Sequence, residues 1–141
     1  MKCPLCDTSG GTVLWRDESC RVVLADEPDY PGFLRVILDT HVKEMTDLPA
    51  AAQQRLFEVM LAAEAALREV LAPDKVNLAS LGNVVPHLHW HVIPRFTDDP
   101  HFPNAVWGAR KRDTPHAVPA GASERLAAAL TRRLGRARET G

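Results

Sequence analysis

The segment His87-Leu88-His89-Trp90-His91-Val92-Ile93-Pro94 constrains this chain more than any other. Side chains of a strand alternate between its two faces. The three histidines therefore fall on one side, and Leu88, Trp90 and Val92 on the other. The apolar side needs a cover, such as a helix laid across it, and the imidazoles then line the face left open. Three of the chain's six histidines stand here at strict period two. Core filling does not select that spacing, because the alternation is the strand pattern itself.

Two chemistries can use such a row. Neutral imidazole is a common zinc ligand, but positions four apart on a strand lie ~13 Å apart. Three such rings converge poorly on one tetrahedral ion; two could share it with a ligand from elsewhere. The other chemistry is nucleophilic: a central imidazole attacks an electrophile while its neighbours orient it and bind anionic oxygens. Phosphorus suits this role, since catalysis there rests on in-line placement and charge stabilisation. The preceding Asn77-Leu78-Ala79-Ser80-Leu81-Gly82-Asn83 offers small residues, amides and a hydroxyl for phosphate oxygens.

The chain has 141 residues, enough for one domain. With 45% hydrophobic and 25% charged residues it reads as globular rather than disordered or coiled-coil. No apolar run reaches the ~18 to 20 residues of a membrane span. Met1-Lys2-Cys3-Pro4-Leu5-Cys6 lacks the apolar stretch of a signal peptide, and three cysteines make an odd count for a secreted disulfide framework. A soluble, cytoplasmic protein is expected, with no membrane partner.

Thr12–Arg16 and Cys20–Leu24 read as short strands around a turn, and Phe33–Leu38 resumes extended after the break Pro28-Asp29-Tyr30-Pro31-Gly32. Leu56, Met60, Ala63, Leu67 and Val70 recur at spacings of three and four, a helical stripe with Asp47 or Leu48 as cap, Pro49 in the first turn and Pro73 beyond the end. Strands are expected over Lys75–Leu81 and His87–Arg95, a Pro- and Asp-rich loop over 97–119, and a last helix capped by Ser123 with Leu126, Leu130 and Leu134 on one side. Short connections favour antiparallel pairing, so the expected class is α+β. Residues 109–141 carry a net charge of +5 and residues 1–108 a net −6. A basic extension on an acidic body can meet a polyanion, but its arginines lack interleaved aromatics, which disfavours nucleic acid.

His87-Leu88-His89-Trp90-His91-Val92-Ile93 resembles the signature of the histidine triad (HIT) family, and the likeness runs from about Val22 to Arg95. Asp26, then Pro31-Gly32 and an apolar strand, then His41 and the long helix follow the family order. The resemblance implies a HIT domain over 1–108 with its core at about 12–95, and 109–141 as an extension with a helix. It implies a homodimeric nucleotide-binding fold with a five-stranded antiparallel sheet, one long helix packed on it and a C-terminal helix. Family members hydrolyse or transfer nucleoside monophosphates from phosphoramidates, dinucleoside polyphosphates or nucleotidyl conjugates, and need no metal to do so. By this likeness His89 carries a nucleotidyl-histidine intermediate, His87 and His91 orient it and contact phosphate, and Asn83 bonds the phosphate or leaving group. Asp26 holds the ribose hydroxyls, and Asn77 and Gly82 belong to the phosphate-facing loop.

Many relatives have Pro-Gly-His where this chain has Pro31-Gly32-Phe33, so a hydrogen-bonding group is missing beside the triad. Asn83 is shorter than the usual glutamine, and Pro86 removes a backbone donor. Two alternatives to the enzyme stay open: a nucleotide-binding or interaction protein with little turnover, and a metal-dependent hydrolase using the row. Cys3-Pro4-Leu5-Cys6 is half of a zinc site by spacing; a frayed terminus with idle thiols is the alternative, and no thioredoxin-like pattern follows it. The resemblance to relatives with such a pair implies a structural zinc on Cys3, Cys6, His41 and His87. Cys20 is expected to be a buried thiol, and His101 and His116 to be solvated loop residues. Trp107 can close over a nucleotide or pack against its own helix or a dimer partner.

Overall fold

The computed structural model describes residues 2–137. Met1 and residues 138–141, the end of the basic extension, lie outside the described residues. A short helix α1 (Pro4–Asp7) leads into strands β1 (Thr12–Arg16), β2 (Cys20–Leu24) and β3 (Leu34–Leu38), a 3₁₀ turn (Met45–Asp47) and the long helix α2 (Ala50–Leu71). Strands β4 (Lys75–Ala79) and β5 (His89–Arg95) and the helix α3 (Ala122–Leu134) complete the chain. The five strands form one antiparallel sheet in the order β1-β2-β3-β5-β4, the expected α+β arrangement.

The alternation read from the strands decides which face is covered. Cys20 and Val22 of β2, Leu34, Val36 and Leu38 of β3, and Val92 of β5 point into one core with Leu56, Val59, Met60, Ala63, Leu67 and Val70 of α2. The period-four stripe of α3 joins the same core through Leu126, Ala129 and Leu130. The Trp15 indole N–H donates to the Gly135 carbonyl just past that helix (3.0 Å), tying it to β1. Burying a leucine side chain contributes roughly 1.5–3 kcal/mol, so α3 is fastened by its stripe more than by its caps.

Several boundaries move. Pro49 stands at the N-cap position of α2, and Asp47 ends the 3₁₀ turn instead of capping. Gly121, at φ 82°, makes the turn into α3, which places Ser123 in the first helical turn with its hydroxyl on Glu124. A left-handed position favours glycine, having no Cβ to clash, over a serine cap. Strand β5 begins at His89, not His87. Leu88 still hydrogen-bonds through both backbone groups, donating to Val42 O (2.8 Å) and accepting from Leu38 N (3.2 Å). The tail arginines turn back on the body: Arg132 and Arg133 pair with Glu69 of α2, and Arg110 with Asp29. No described helix is long and apolar enough to cross a membrane.

Candidate active site and metal cluster

The face of the sheet away from the helices carries the histidines. Strand β5 is flanked by β3 and β4, and its register sets His89 opposite Ile37 and His91 opposite both Arg35 and Ala79. His89 and His91 are 8% and 7% exposed, with ring centroids 5.0 Å apart at 86°. Both line a pocket with Leu81, Gly82, Asn83, Val84, Val85 and Trp107.

Hydrogen-bond partners fix the protons of this pair. His89 Nδ1 lies 2.6 Å from the His87 carbonyl oxygen. A carbonyl only accepts, so Nδ1 carries the proton and Nε2 keeps its lone pair. Burial lowers the His89 pKa, and the charges of Arg35 and His87 add to that, outweighing its bond to the His87 carbonyl. His91 Nδ1 receives a hydrogen bond from Arg35 Nε at 3.3 Å. Guanidinium only donates, so His91 carries its proton on Nε2. Burial, with His89 and Arg35 adding to it, pulls the His91 pKa down to about 4, leaving the ring neutral near pH 7. The pair thus offers one free lone pair and one N–H donor side by side.

His87 takes no part in the row through its ring. It is 0% exposed, and its Nε2 donates to the Leu38 carbonyl (2.5 Å). Its Nδ1 faces Cys3 Sγ (3.4 Å), Cys6 Sγ (3.4 Å) and His41 Nδ1 (3.2 Å), while Cys6 Sγ lies 3.3 Å from His41 Nδ1. Both ring nitrogens are committed away from the pocket, so the contribution of His87 to His89 is its backbone carbonyl. The four donor atoms all fall within 4.8 Å of one another. A tetrahedral zinc with ~2.05 Å bonds to nitrogen and ~2.3 Å bonds to sulfur has donor–donor edges of ~3.3 to ~3.8 Å. The cluster fits such an ion, and the two thiols with two imidazoles are a zinc donor set.

The other expected site residues scatter. Asn83 and Gly82 border the histidine pocket. Asn77 shares the histidine face but sits opposite Ile93, its side-chain oxygen accepting from Arg95 (2.7 Å). Asp26 is exposed and lines a different cleft, with Pro28, Val118, Pro119 and Ser123 near the start of α3. Ala25, just past the end of β2, packs on the histidine side with Phe33 and Ile93, while Asp26 after it lines the cleft toward α3. Phe33 is buried edge-on to His91 (5.5 Å). Trp107 is exposed yet packs edge-on to His91 (5.3 Å), on the site rather than on a helix.

His101 and His116 are not free loop residues. His101 stacks on Tyr30 with Nδ1 2.5 Å from the Tyr30 hydroxyl, and His116 stacks on Phe96 at 3.6 Å with Nδ1 2.7 Å from Asp98. The His101 backbone N–H also donates to Asp99 (3.0 Å), whose buried pair with Arg95 anchors this part of the loop. Cys20 is fully buried, and burial raises its thiol pKa to about 12.

Residues 8–98 match the family model of the HIT domain. The chain belongs to the HIT family. Among solved structures, the HIT chain resembles a histidine triad protein from Marinobacter aquaeolei at 30% identity and TM-score 0.73, covering 89% of this chain and 92% of that one. A histidine triad protein from Bradyrhizobium japonicum matches at 30% identity and TM-score 0.72 over the same shares. A zinc-bound histidine triad family protein from Mycobacterium smegmatis matches at 27% identity and TM-score 0.68, covering 94% and 95%. Curated relatives called AP-4-A phosphorylase, from two strains of Mycobacterium tuberculosis, are 28% identical over 106 residues. That alignment takes 71% of this chain but 54% of theirs, so the chain spans about half the length of the curated relatives it matches.

Arg35 and Glu27 escaped the sequence reading. Arg35 lies on β3 two positions after Phe33, the residue that leads into the strand, and both face the histidine side. The missing signal was the register that sets Arg35 across from His91.

Proposed function

We propose that this chain is a nucleotidyl hydrolase or transferase that works through a covalent nucleotidyl-histidine on His89. The carrying observation is the Nδ1–H of His89 held on the His87 carbonyl, which aims an unprotonated Nε2 at the pocket. The Nε2 lone pair forms an N–P bond to the α-phosphorus of a phosphoramidate, dinucleoside polyphosphate or nucleotidyl conjugate. The bond from phosphorus to the leaving group breaks, and that group departs with the electron pair and takes a proton from solvent. Water, or another oxygen nucleophile in a transfer, then attacks phosphorus and loses its proton to solvent; the N–P bond breaks and its electrons return to Nε2. His91 Nε2–H donates to a non-bridging oxygen as charge develops there, and Asn83 borders the phosphate or leaving-group position. The phosphorylase name of the curated relatives supports a nucleotide substrate. Asp26 would hold ribose only from the second cleft, so we assign it no contact with the reacting phosphate.

The test is direct. Incubated with an adenosine phosphoramidate and with a diadenosine polyphosphate, the protein should release AMP and, after a gentle quench, show an adenylyl adduct on His89 by mass spectrometry. Tight nucleotide binding without release or adduct would make the chain a binding protein instead. Activity that chelators abolish and zinc restores, with no adduct, would favour metal-dependent hydrolysis.

We assign a structural zinc to Cys3, Cys6, His41 and His87, where it would cross-link the N-terminus, the segment after β3 and the approach to β5. Purified protein should carry one zinc per chain by mass spectrometric metal analysis, and Cys6→Ser should lose it and lower Tm. A full-length Cys6→Ser variant with unchanged Tm would remove the structural role. We further propose a homodimer through the β4 edge. Leu78 of β4 and Phe57 and Leu61 of α2 are exposed, Phe57 packing on Trp90 of the neighbouring strand. Analytical ultracentrifugation should give twice the chain mass.

A further inference from the structure

The position that many relatives fill with a histidine holds Phe33, which has no hydrogen bond to give. Yet His91 Nδ1 is not without a donor. Arg35, its direct cross-strand neighbour, points Nε at it from 3.3 Å. The guanidinium is held from two sides: Nη2 donates to Glu27 Oε1 (3.2 Å), and the group lies over the Phe33 ring at 5.3 Å. Phe33 in turn packs edge-on to His91. Glu27, Arg35, Phe33 and His91 thus form one linked set, in which Arg35 is the one donor facing Nδ1 among the described residues.

We propose that Arg35, braced by Glu27 and Phe33, is the positioning residue that locks His91 as its Nε2–H tautomer and so keeps a phosphate-facing donor beside His89. The inference deepens the nucleotidyl-transfer reading and rests on it for its kinetic consequence. The logic is one of donors and acceptors. Neutral imidazole has one N–H and one lone pair, and free imidazole exchanges between the two tautomers. A guanidinium never accepts a hydrogen bond and is always charged, so it can pair only with the lone pair. With Nδ1 so occupied, the proton must sit on Nε2. A hydrogen-bond acceptor in the place of Arg35 would give the opposite tautomer, and two lone pairs, His89 Nε2 and His91 Nε2, would then face an anionic phosphate.

Arrangement also explains why Phe33 serves here. A flat apolar ring supports the guanidinium through its face and fills the space beside His91 without competing for Nδ1. Glu27 restrains the fork of a side chain that otherwise has many rotamers, so less freedom is lost when it meets His91.

The experiment reads the tautomer itself. In uniformly ¹⁵N-labelled full-length protein near pH 7, two-bond ¹H–¹⁵N spectra should show His91 with an unprotonated Nδ1 and a protonated Nε2. Arg35→Gln should turn this into a mixture of tautomers, and Glu27→Gln should give a smaller change in the same direction. With an adenosine phosphoramidate as substrate, kcat of Arg35→Gln should fall with the share of the Nε2–H tautomer lost, up to the ~10²-fold at the low end for a deleted transition-state donor, with KM changing less. His91 signals identical in wild type and both variants would overturn the proposal, as would wild-type protein with Nδ1 protonated. If the tautomer shifts but no variant, nor the wild type, turns over nucleotide, the positioning stands and the nucleotidyl-transfer reading falls. A rise in KM alone with an unchanged tautomer would make Arg35 a direct phosphate contact and also overturn the inference.

Discussion

Replacing His89 with alanine is expected to abolish AMP release, with kcat/KM falling on the order of 10⁴–10⁶-fold, the scale seen when a covalent nucleophile is removed. His89→Asn should lose as much, because an amide nitrogen has no available lone pair, although it can still donate to the His87 carbonyl. The loss belongs to chemistry and not to folding. His89 sits on the histidine face, outside the core that α2 and α3 bury against the sheet. Neither variant should therefore shift Tm by more than a few degrees, since truncation there opens a pocket that already exists. Nucleotide affinity should persist in both, because His91, Asn83 and the backbone around Gly82 remain. A rate assay paired with equilibrium binding checks both halves. Residual AMP release above ~1% of wild type in either variant would place the nucleophile elsewhere.

The strands and helices were legible because periodicity survives in this chain. The spacing Leu56, Met60, Ala63, Leu67, Val70 marked the buried side of α2 residue by residue, and the alternation of β5 put Trp90 and Val92 under that helix. The limit of that reading shows at His87. Period two placed its ring with His89 and His91, but the chain is not yet in the ladder there, and the ring swings to the Cys3–Cys6 cluster. The row is physically two rings on the sheet and one at its border, the one that the family resemblance also implies as a zinc ligand. Cross-strand register is likewise invisible without a partner strand, so Arg35 looked like an ordinary strand arginine. Asp26 follows the expected sequence order but lies two residues past the end of β2, in the cleft near the start of α3, a placement that sequence order alone does not give. Spacing alone identified the two cysteines of the metal cluster, while the two histidines that complete it, 35 and 81 residues beyond Cys6, were named only through the family resemblance.

Replacing Asp99 with alanine should be the most destabilising single change in the loop that carries Trp107. Arg95 and Asp99 are 2% and 1% exposed and meet through Nε–Oδ2 (2.8 Å) and Nη2–Oδ1 (3.1 Å). The carboxylate also accepts backbone N–H bonds from Phe96 (3.1 Å), His101 (3.0 Å) and Phe102 (2.7 Å). Removing it leaves a buried guanidinium hydrogen-bonded to Asn77 and the Asn104 carbonyl, with the Tyr30 and Phe102 rings against it, and no carboxylate to pair its charge. Stripping one member from a buried pair costs about 3–5 kcal/mol, a large share of the ~5–15 kcal/mol that holds a domain together. At roughly 2–4 °C per kcal/mol for a chain near this size, Tm should drop by about 6–20 °C. The pair also sets an acid limit. Burial alone would raise the Asp99 pKa, but the bonds from Arg95 and the three backbone donors outweigh it and hold the group at about 2, against 3.8 when free. The unfolded chain therefore binds the extra proton first as pH falls. The stabilisation is complete above about pH 4 and is lost progressively down to about pH 2, so wild type should show a steep acid limb that Asp99→Ala lacks. Thermal melts across pH 2–7 would show both effects, and parallel acid limbs in the two proteins would mean that Asp99 is not the group that titrates. Because the same loop seats Trp107 against His91, Asp99→Ala should also weaken nucleotide binding at temperatures where the sheet remains folded, so that the pocket is lost before the domain.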